Sequence, residues 1–470
     1  MDTFLHTTPE SVGIASQTLL KLMKRLGKLE YINSIILMRH GKVCLEAYVA
    51  PYRQNVPHQL FSLSKSFTSC AIGLAQSEGL LDINDKLVSF FPEFECCITD
   101  ERMRKVTLQN LLTMQSGHLS CPTGLPEFWT CDDWRKCYLA TKLDTEPGTA
   151  FTYNSVATYM LSAVITKVTG QNVREYLMPR LFEPLAIAPG IWECCPQGIN
   201  CGGWGLYLTT RDLAKFAQLI LNKGCWQGKQ LLPADYLAEA VSFHADNSKN
   251  AAPDWKLGYG YQFWLSRYGY RGDGAAGQYA VMLPEQDIAI AVTSCIGNMQ
   301  DILTAIWEEL IPQLADYALP EDTAAQAELS EFCSNMQIPC VQGDITKRRK
   351  SVYYKFAENA QKVQSCQICF GTEDCTLTFA GPHGTEQLRA GFGKFAFSLF
   401  RLTDREVHPV FASAAWKSDD VLEIRSYIAD GIFRDVWTID FSDPVEPVKN
   451  QQLCSCFRPQ KPQMLLKKQA

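Results

Sequence analysis

Strand-forming stretches lie near both ends of the first 318 residues, and helix-forming stretches fill the chain between them. The early stretch, residues 31–49, reads YINSIILMRHGKVCLEAYV and contains two β-rich runs that meet at His40-Gly41, as in a hairpin. The late stretch, residues 258–295, contains the runs GYGYQFWLSRYG, GQYAVMLPEQ and DIAIAVTSC. This order predicts an α+β body in which one antiparallel sheet joins early and late strands, flanked by helices and interrupted by a helical subdomain.

Apolar residues at helical spacing occupy much of the chain between and after these strands. The pattern predicts helices at residues 67–80, 106–118, 154–170, 209–224 and 298–318. Asn154 favours a helix start, as does Thr209 or Thr210, and Ser116-Gly117 is a typical helix stop. The last of these helices is long enough to pack back on the sheet.

The remainder of the chain differs in pattern from the first 318 residues. Residues 319–345 are polar and contain prolines, which predicts a linker with one short helix at most. Residues 346–447 alternate at period two between turn signals, which predicts a C-terminal all-β domain. Residues 448–470 are basic, and we expect a flexible tail. A chain of 470 residues is too long for a single core. We therefore predict one large domain over residues 1–318, followed by the linker, the β domain and the tail.

Composition and charge argue against several classes of partner. Hydrophobic residues make up 46% of the chain and charged residues 20%, as in an ordinary globular protein. The net charge of -6 provides no basic surface for nucleic acid, and no apolar run is long enough to span a membrane. The opening residues MDTFLHTTPESVGI lack the basic and apolar regions of a signal peptide, so we expect a cytoplasmic location. The sequence leaves the oligomeric state undetermined.

The cysteines are interpreted as structural thiols. For a cytoplasmic protein, the 19 cysteines favour reduced side chains over a disulfide framework. Cys366 and Cys369, with Cys454 and Cys456, have a spacing that also occurs in zinc sites, which need four converging ligands. However, SCQICF alternates like a strand, so its two cysteines should point to opposite faces. We therefore predict no metal site and no cofactor.

A serine and a lysine stand one helical turn apart where the first long helix begins. In LFSLSKSFTS, Ser62 and Lys65 would share a helix face. A lysine with a lowered pKa can take the proton of a serine hydroxyl, and the free N–H groups of a first helical turn can stabilise an oxyanion. The alternative is an ordinary capped helix start with a solvated lysine, because the bare tetrapeptide S-x-x-K is common.

The wider context favours the catalytic interpretation. The stretch FSLSKSFTSCAIGLAQSEGLLDINDKL resembles the serine-lysine box of the serine β-lactamase and penicillin-binding-protein superfamily, closest to its class C β-lactamase and esterase branch. The resemblance continues through VTLQNLLTMQSG, PGTAFTYNSVATYMLSAVITKVTG, GGWGLYLTTRDLAKFAQLIL and GAAGQYAVMLPEQDIAIAV, and covers residues 30–315. Within the superfamily the pattern is most similar to 6-aminohexanoate-dimer hydrolases and related carboxylesterases. It implies a β-lactamase-like fold and a nucleophilic Ser62 with Lys65 as its base.

The second box of this branch, Tyr-x-Asn, corresponds here to Tyr153-Asn154-Ser155. The tyrosine matches, and the resemblance implies that Tyr153 shares a proton with Lys65 and delivers it to the leaving group. The asparagine does not match. Ser155 can still form a hydrogen bond to substrate, but it is shorter, which argues against recognition of an acylamino side chain. The alternative for Tyr153 is a packed tyrosine with a backbone partner.

The third box of the superfamily, Lys-Thr-Gly or His-x-Gly, corresponds to Gly272-Asp273-Gly274. The missing lysine removes the cation that favours an anionic substrate. Arg271 could substitute for it, although alternation along a strand would point its side chain away from the site. The resemblance implies that Gly274 lines the substrate site and that the backbone N–H groups of Ser62 and Ala275 form the oxyanion hole.

Aromatic residues and histidines offer weaker candidates. Trp204 is a candidate for lining an apolar acyl pocket, as are Phe128, Trp129 and Trp134, although aromatic residues are more often core. His118 and His40 follow turn signals, so we expect two surface histidines and no Ser-His-Asp triad.

These observations predict a serine hydrolase that cleaves a small ester or amide through an acyl-enzyme on Ser62. Lys65 and Tyr153 would act as general base and acid. A carboxylesterase or amidase is preferred over a β-lactamase or D-amino-acid peptidase, because the third box lacks its lysine and no export signal is seen. A catalytically silent relative used for binding is the alternative outside the enzymes.

Overall fold

The protein is described by a computed structural model, in which residues 4–29, 31–401, 406–454 and 463–469 are described. The described residues form two compact units. The first comprises residues up to 47, residues 59–293 and residues 298–333, and the second comprises residues 48–58, 294–297 and 334 onward. The two short segments of the second unit that come from within the first 318 residues were not anticipated from the sequence.

Within the described residues the α-helices have the following bounds: α1 Ser16–Leu26, α2 Ser64–Ser77, α3 Leu108–Leu112, α4 Pro126–Thr130, α5 Trp134–Leu139, α6 Ser155–Thr169, α7 Val173–Leu177, α8 Thr210–Leu221, α9 Ala234–Ala240, α10 Gln300–Ala305 and α11 Thr323–Ser334.

The strands have these bounds: β1 Leu5–His6, β2 Ile32–Arg39, β3 Lys42–Tyr48, β4 His58–Gln59, β5 Tyr207–Leu208, β6 Cys225–Trp226, β7 Lys229–Gln230, β8 Trp264–Ser266, β9 Gly269–Gly274, β10 Gln278–Leu283, β11 Ile288–Ser294, β12 Val352–Lys355, β13 Ser365–Phe370, β14 Asp374–Gly381, β15 Gly384–Phe392, β16 Ala396–Phe400, β17 His408–Trp416, β18 Val421–Ile428, β19 Arg434–Asp440, β20 Val448–Leu453 and β21 Met464–Leu466.

The sheet of the first unit joins strands from the beginning and the end of its sequence, which confirms the α+β expectation. Its order is β1-β3-β2-β11-β10-β9-β8, so the early hairpin pairs with the late strands through β2 and β11. Strand β10 is antiparallel to both β9 and β11, whereas the short β1 is parallel to β3. Every residue of β2, β10 and β11 is buried, as expected for strands covered on both faces.

The helices that position the candidate site form a buried layer on this sheet. Helix α2 is nearly all apolar or small, and it is buried from Ser64 to Ala75. It packs against α6, α7, α9 and β9, while α8 packs on β2 and β10. The rings of Phe67 in α2 and Phe216 in α8 stack with centroids 3.8 Å apart. Burial all round explains why α2 lacks a polar face and why a lysine inside it is exceptional.

Most predicted helices exist, with differences at their ends. Helix α6 starts after Asn154 as an N-cap and ends at Gly170, whose φ is 71°, and α8 starts after its N-cap Thr209. The helix predicted over residues 106–118 is limited to α3, because Met114 adopts a φ of 60° and turns the chain. The helix predicted over residues 298–318 runs through α10 and then changes to a wider turn over Ile306–Leu310 and a 3₁₀ turn over Ile311–Gln313.

The second unit is dominated by a ten-stranded sheet of order β12-β13-β14-β15-β17-β18-β19-β20-β21, with β16 paired to β17. Its pairs are antiparallel except for the short parallel contact between β15 and β17. The predicted linker contains α11, which is longer than expected. The segment expected to be a flexible tail instead contributes β20 and β21, because alternate side chains such as Val448 and Leu466 enter the core.

Two further observations bear on the sequence analysis. Cys131 and Cys137 form a disulfide, so the expectation that all cysteines are reduced thiols is wrong for this pair. The two cysteines flank the start of α5, close enough in the chain to meet around one helical turn. In the described part of the chain, no helix is both long enough and apolar enough to cross a membrane.

Candidate active site

Ser62 lies in a 3₁₀ turn, Phe61–Leu63, that leads directly into α2. The flanking residues Leu60 and Leu63 are fully buried, whereas Ser62 is only half-buried. Phe61 has a φ of 48°, a left-handed conformation that costs a bulky residue about 1–2 kcal/mol. The buried leucines anchor the turn on both sides. The strained turn therefore presents one hydroxyl at the entrance of a buried helix.

Lys65 is 1% exposed, and its amine lies among three oxygen atoms. Nζ is 2.9 Å from Ser62 Oγ, 3.0 Å from Ser155 Oγ and 2.7 Å from the backbone oxygen of Gly203. Burial lowers the pKa of Lys65 to about 7, although Cys121 and Asp273 act in the opposite direction. Near neutral pH a large fraction of this amine is uncharged. A neutral amine can accept the Ser62 proton while it still donates to Gly203 and Ser155.

Tyr153 packs against the Lys65 amine. Lys65 Nζ lies 4.8 Å from the centroid of the Tyr153 ring, and the Ser62 side chain acts as a hydrogen-bonding influence that lowers the pKa of the phenol. The ring stacks on Trp264 with centroids 5.2 Å apart. Burial raises the pKa of Tyr153 above its ordinary value, and nearby Asp273 adds to this effect. The phenol is therefore neutral, and of the two groups only the amine has a pKa suited to accepting a proton at pH 7.

Asn154 and Ser155 divide two tasks at the start of α6. The Asn154 carboxamide caps the helix by accepting hydrogen bonds from the backbone N–H groups of Val156 at 3.0 Å and Ala157 at 3.2 Å. This leaves Ser155, in the first turn, to contact Lys65. The departure from Tyr-x-Asn thus places a hydroxyl beside the lysine. The N-cap preference of asparagine was the sequence signal for this arrangement.

Strand β9 borders the Ser62 turn so closely that its residues must be small. A Cβ atom on Gly274 would lie 2.0 Å from the backbone oxygen of Leu60 and 3.2 Å from the backbone nitrogen of Leu63. A Cβ atom on Gly272 would lie 2.7 Å from Ser66 Oγ. A side chain at Gly272, where β-lactamases have the lysine of the third box, would require the Ser66 hydroxyl to move. The proximity of Gly274 to the turn also brings the backbone after β9 close to Ser62.

The side chains on either side of Gly272, Arg271 and Asp273, form a buried ion pair. Arg271 is fully buried, and its Nε donates to Asp273 Oδ2 at 3.0 Å. The same guanidinium donates to Leu265 O at 3.1 Å and Ser266 Oγ at 2.6 Å, and lies 4.5 Å from the Trp255 ring centroid. The Nε and Nη1 atoms of Arg271 are thus committed to protein partners, and Nη2 is buried. Arg271 is not placed to replace the missing lysine as a contact for an anionic substrate.

Replacing Gly274 tests how tightly β9 and the Ser62 turn must pack. We expect Gly274→Ala to reduce both thermal stability and the reactivity of the Ser62 hydroxyl strongly, because the new Cβ meets a backbone oxygen that cannot rotate away. Gly124→Ala is the matched control, since a Cβ there meets nothing within 4 Å. Thermal melts and turnover of a p-nitrophenyl ester provide the measurements. Equal behaviour of the two variants would contradict this packing.

The aromatic candidates form one cluster. The ring centroid of Trp204 lies 6.1 Å from that of Trp129 and 6.0 Å from that of Trp134, and Phe128 lies 5.1 Å from Trp134. Phe128 and Trp134 are buried, whereas Trp129 is 50% exposed. Trp204 follows Gly203, whose carbonyl holds Lys65. Trp204 therefore joins this aromatic cluster to the residue that contacts the amine.

The expectation for the histidines is wrong in one case. His118 is 4% exposed, and its ring nitrogens bind Ser116 Oγ at 3.0 Å and Thr141 Oγ1 at 2.8 Å. Burial lowers its pKa to about 4, so it is a neutral core residue. The short helix α3 explains the error, because the chain turns inward after it. His40 lies in the β2–β3 turn and is half exposed, with Nδ1 2.8 Å from Asp287.

Sequence reasoning missed two groups beside the amine. The backbone oxygen of Gly203 makes the shortest contact to Lys65, and a backbone group leaves no signal in a motif. Cys121 interacts electrostatically with Lys65 and Tyr153, but its loop carries no pattern that points to the site. Among the described residues, no group of three or more His, Cys, Asp or Glu side chains could hold a metal. Cys366 is buried and Cys369 half-buried, and Cys456 lies outside the described residues.

Comparison with known proteins identifies the family of the chain. The model of the family described as Beta-lactamase matches residues 33–298, more than half of the chain. Penicillin-binding protein 4 of Amycolatopsis lactamdurans is 25% identical over 308 residues, which cover 57% of this chain and 79% of that protein. The 6-aminohexanoate-dimer hydrolase of Paenarthrobacter ureafaciens is 22% identical over 285 residues, 56% of this chain and 72% of that protein.

Solved structures agree on the fold. A penicillin-binding protein homologue from Caulobacter crescentus superposes with a TM-score of 0.55 at 15% identity, and the match covers 67% of this chain and all of that one. The extent of the family match, 33–298, includes the Ser62 turn, Tyr153 and β9. The chain therefore belongs to the beta-lactamase family of hydrolases.

Proposed function

We propose that this protein is a serine hydrolase that cleaves a neutral ester or small amide through an acyl-enzyme on Ser62. The observation that carries the proposal is the contact of a buried lysine amine, of pKa about 7, with Ser62 Oγ at 2.9 Å. A solvated lysine at a capped helix would retain a pKa near 10 and would be exposed. Membership of the beta-lactamase family makes hydrolysis by a serine nucleophile the expected chemistry.

The proposed reaction begins with the neutral Lys65 amine. The amine accepts the Ser62 proton as Oγ attacks the carbonyl carbon of the substrate. The backbone N–H groups of Ser62 and Ala275 are proposed to stabilise the resulting oxyanion. The lysine returns the proton to the leaving alcohol or amine as the carbon–leaving-group bond breaks. Water then attacks the acyl-serine, Lys65 accepts the water proton, and the acid and the free serine are regenerated.

Tyr153 is proposed as the relay for the proton that Lys65 returns to the leaving group: its hydroxyl donates to the leaving group and takes the proton of the Lys65 ammonium in exchange, so the phenol ends the step neutral. We expect Tyr153→Phe to lower kcat by about 10²- to 10³-fold, in the range of a lost general acid, because the ring can still stack on Trp264. Rapid-quench measurement of acylation and deacylation with a p-nitrophenyl ester would locate the affected step. A variant with wild-type kcat would remove Tyr153 from the reaction and leave it a packing residue.

The substrate class follows from the charges near Ser62. The third box has glycine at the lysine position, and Arg271 is fully buried and bound to Asp273. Because the third box provides no cation, the site should favour an uncharged acyl group. Ser155, Gly274 and Trp204 are proposed to contact this acyl group. This argument prefers an ester or simple amide over a penicillin or a peptide with a free carboxylate.

Competing substrates test this ranking. We expect kcat/KM for p-nitrophenyl butyrate to exceed that for nitrocefin by at least ten-fold, and we expect D-alanyl peptides to be poorer still. Rapid nitrocefin turnover with inert esters would instead assign a β-lactamase or D-amino-acid peptidase. If a fluorophosphonate also fails to label Ser62, as read by intact mass, the chain is a silent binding relative. The proposed cytoplasmic location requires separate testing by cell fractionation.

A further inference from the structure

A cavity of about 360 Å³ lies in the first unit among residues that do not belong to the candidate active site. Its walls come from residues 253–257, from the β8–β9 turn and from the helical residues 300–308. Pro253, Leu257 and Trp307 give it apolar surface. The volume is that of a pocket for a small molecule. The question is which chemical class these walls favour.

The two acidic residues in the cavity wall already have partners. Asp254 is 3% exposed, and its carboxylate accepts hydrogen bonds from the Trp307 indole at 3.1 Å and the Gln300 carboxamide at 2.5 Å. Glu308 is paired with Arg25 at 2.8 Å. The acidic charges are thus satisfied by groups of the protein itself. They do not create a site for a cation.

The two basic residues in the wall have no such partner. Lys256 and Arg267 are exposed at the cavity, and in the described part of the chain neither lies within ion-pair distance of a carboxylate. The Arg267 guanidinium lies 5.6 Å from the ring centroid of Tyr268, a contact that leaves its N–H donors available. The charge that remains without a counterion is therefore positive. An anionic group on a ligand would provide the counterion for Lys256 and Arg267.

We propose that this cavity binds a small organic monocarboxylate. Lys256 and Arg267 would bind the carboxylate, and Leu257 and Trp307 would cover its hydrocarbon part. The apolar walls favour an organic acid over inorganic phosphate, which has no hydrocarbon part to bury. The site is independent of Ser62, so it stands whether or not the proposed hydrolysis is correct.

Isothermal titration with sodium hexanoate at constant ionic strength tests the proposal. The full chain should bind hexanoate saturably, whereas hexanamide, which lacks the charge, and inorganic phosphate, which lacks the chain, should bind at least ten-fold more weakly. The double substitution Lys256→Ala with Arg267→Ala should weaken hexanoate binding at least ten-fold. The matched control is Lys28→Ala with Lys229→Ala, two exposed lysines away from the cavity, and should bind as the unaltered chain does.

Three outcomes would overturn the proposal. They are no saturable hexanoate binding to the unaltered chain, equal binding to the Lys256 and Arg267 double variant, or equal binding of hexanamide. Because all altered residues are exposed, both double variants should melt at the temperature of the unaltered chain, so a loss of binding would not reflect unfolding.

Discussion

Ser62→Ala should abolish covalent labelling by a fluorophosphonate and lower kcat/KM for p-nitrophenyl butyrate by about 10⁴-fold or more. The substitution removes the only proposed nucleophile, and the remaining groups cannot form an acyl-enzyme. Ser62 is half-buried and makes no core contact through its hydroxyl other than with Lys65 and Tyr153. Loss of stability should therefore be small. Intact mass measures labelling directly, without a chromogenic substrate.

Ser77→Ala provides the control for Ser62→Ala. Ser77 lies at the other end of α2, and its hydroxyl donates to Leu74 O at 2.8 Å. This variant should be labelled at the wild-type rate. If Ser62→Ala retained labelling, the adduct would lie on another residue and the proposed nucleophile would be wrong. If both variants lost labelling, the effect would be one of folding.

Lys65→Met should slow acylation of Ser62 by about 10²- to 10⁴-fold, the range expected for loss of a general base. Methionine fills the buried space but cannot accept a proton. Because the amine is costly to bury, its replacement by an apolar side chain should leave the free energy of unfolding unchanged or raise it. Denaturant unfolding beside single-turnover kinetics would separate the two effects.

The pH dependence provides an independent test of the same residue. The pKa of Lys65 is lowered to about 7, so the amine loses its proton as pH rises through 7, and only the neutral form can accept the Ser62 proton. Acylation should therefore rise through pH 7 and level off above pH 8 in the unaltered protein. Lys65→Met should be slow and nearly independent of pH over this range. A rise that persists unchanged in Lys65→Met would assign the titration to another group.

Lys215→Met is the matched control for Lys65→Met. Lys215 is also a buried lysine within a helix, and it contacts Asp212 at 3.2 Å and Ala186 O at 2.7 Å. Its removal leaves Asp212 without this cation and should destabilise the protein while acylation of Ser62 stays near the wild-type rate. If Lys65→Met and Lys215→Met lost acylation equally, the effect of Lys65→Met would be one of folding and Lys65 would not be the base.

Sequence reasoning was most successful where local pattern and chemistry agree. The hairpin over residues 31–49, helices α6 and α8 and the alternation of β13 to β19 all follow from period and capping residues. The turn that brings Ser62 and Lys65 together was expected because three residues make one helical turn. These features depend on interactions between residues close together in the chain, and such interactions can be predicted from a sequence motif.

The remaining features depend on residues far apart in sequence. Burial of Lys65 results from α6, α9 and β9 packing around α2, which no local pattern reports. The inward position of His118 and the left-handed Met114 follow from tertiary packing after α3. The contacts of Arg271 with Asp273 and Trp255 could not be predicted without knowing how β8 and β9 pair. Strands β20 and β21 pair with each other, although both lie in the basic segment that was predicted to be a flexible tail.

The pKa of the Lys65 amine can be measured directly by NMR titration of lysine labelled with carbon-13 at Cε, with Lys65→Met identifying the resonance. An ammonium that loses its proton near pH 7 would establish that a neutral base touches the Ser62 hydroxyl under ordinary conditions. A Lys65 resonance that titrates near its ordinary value, about 10.4, would describe a solvated cation, and the proposed hydrolase would lose its base.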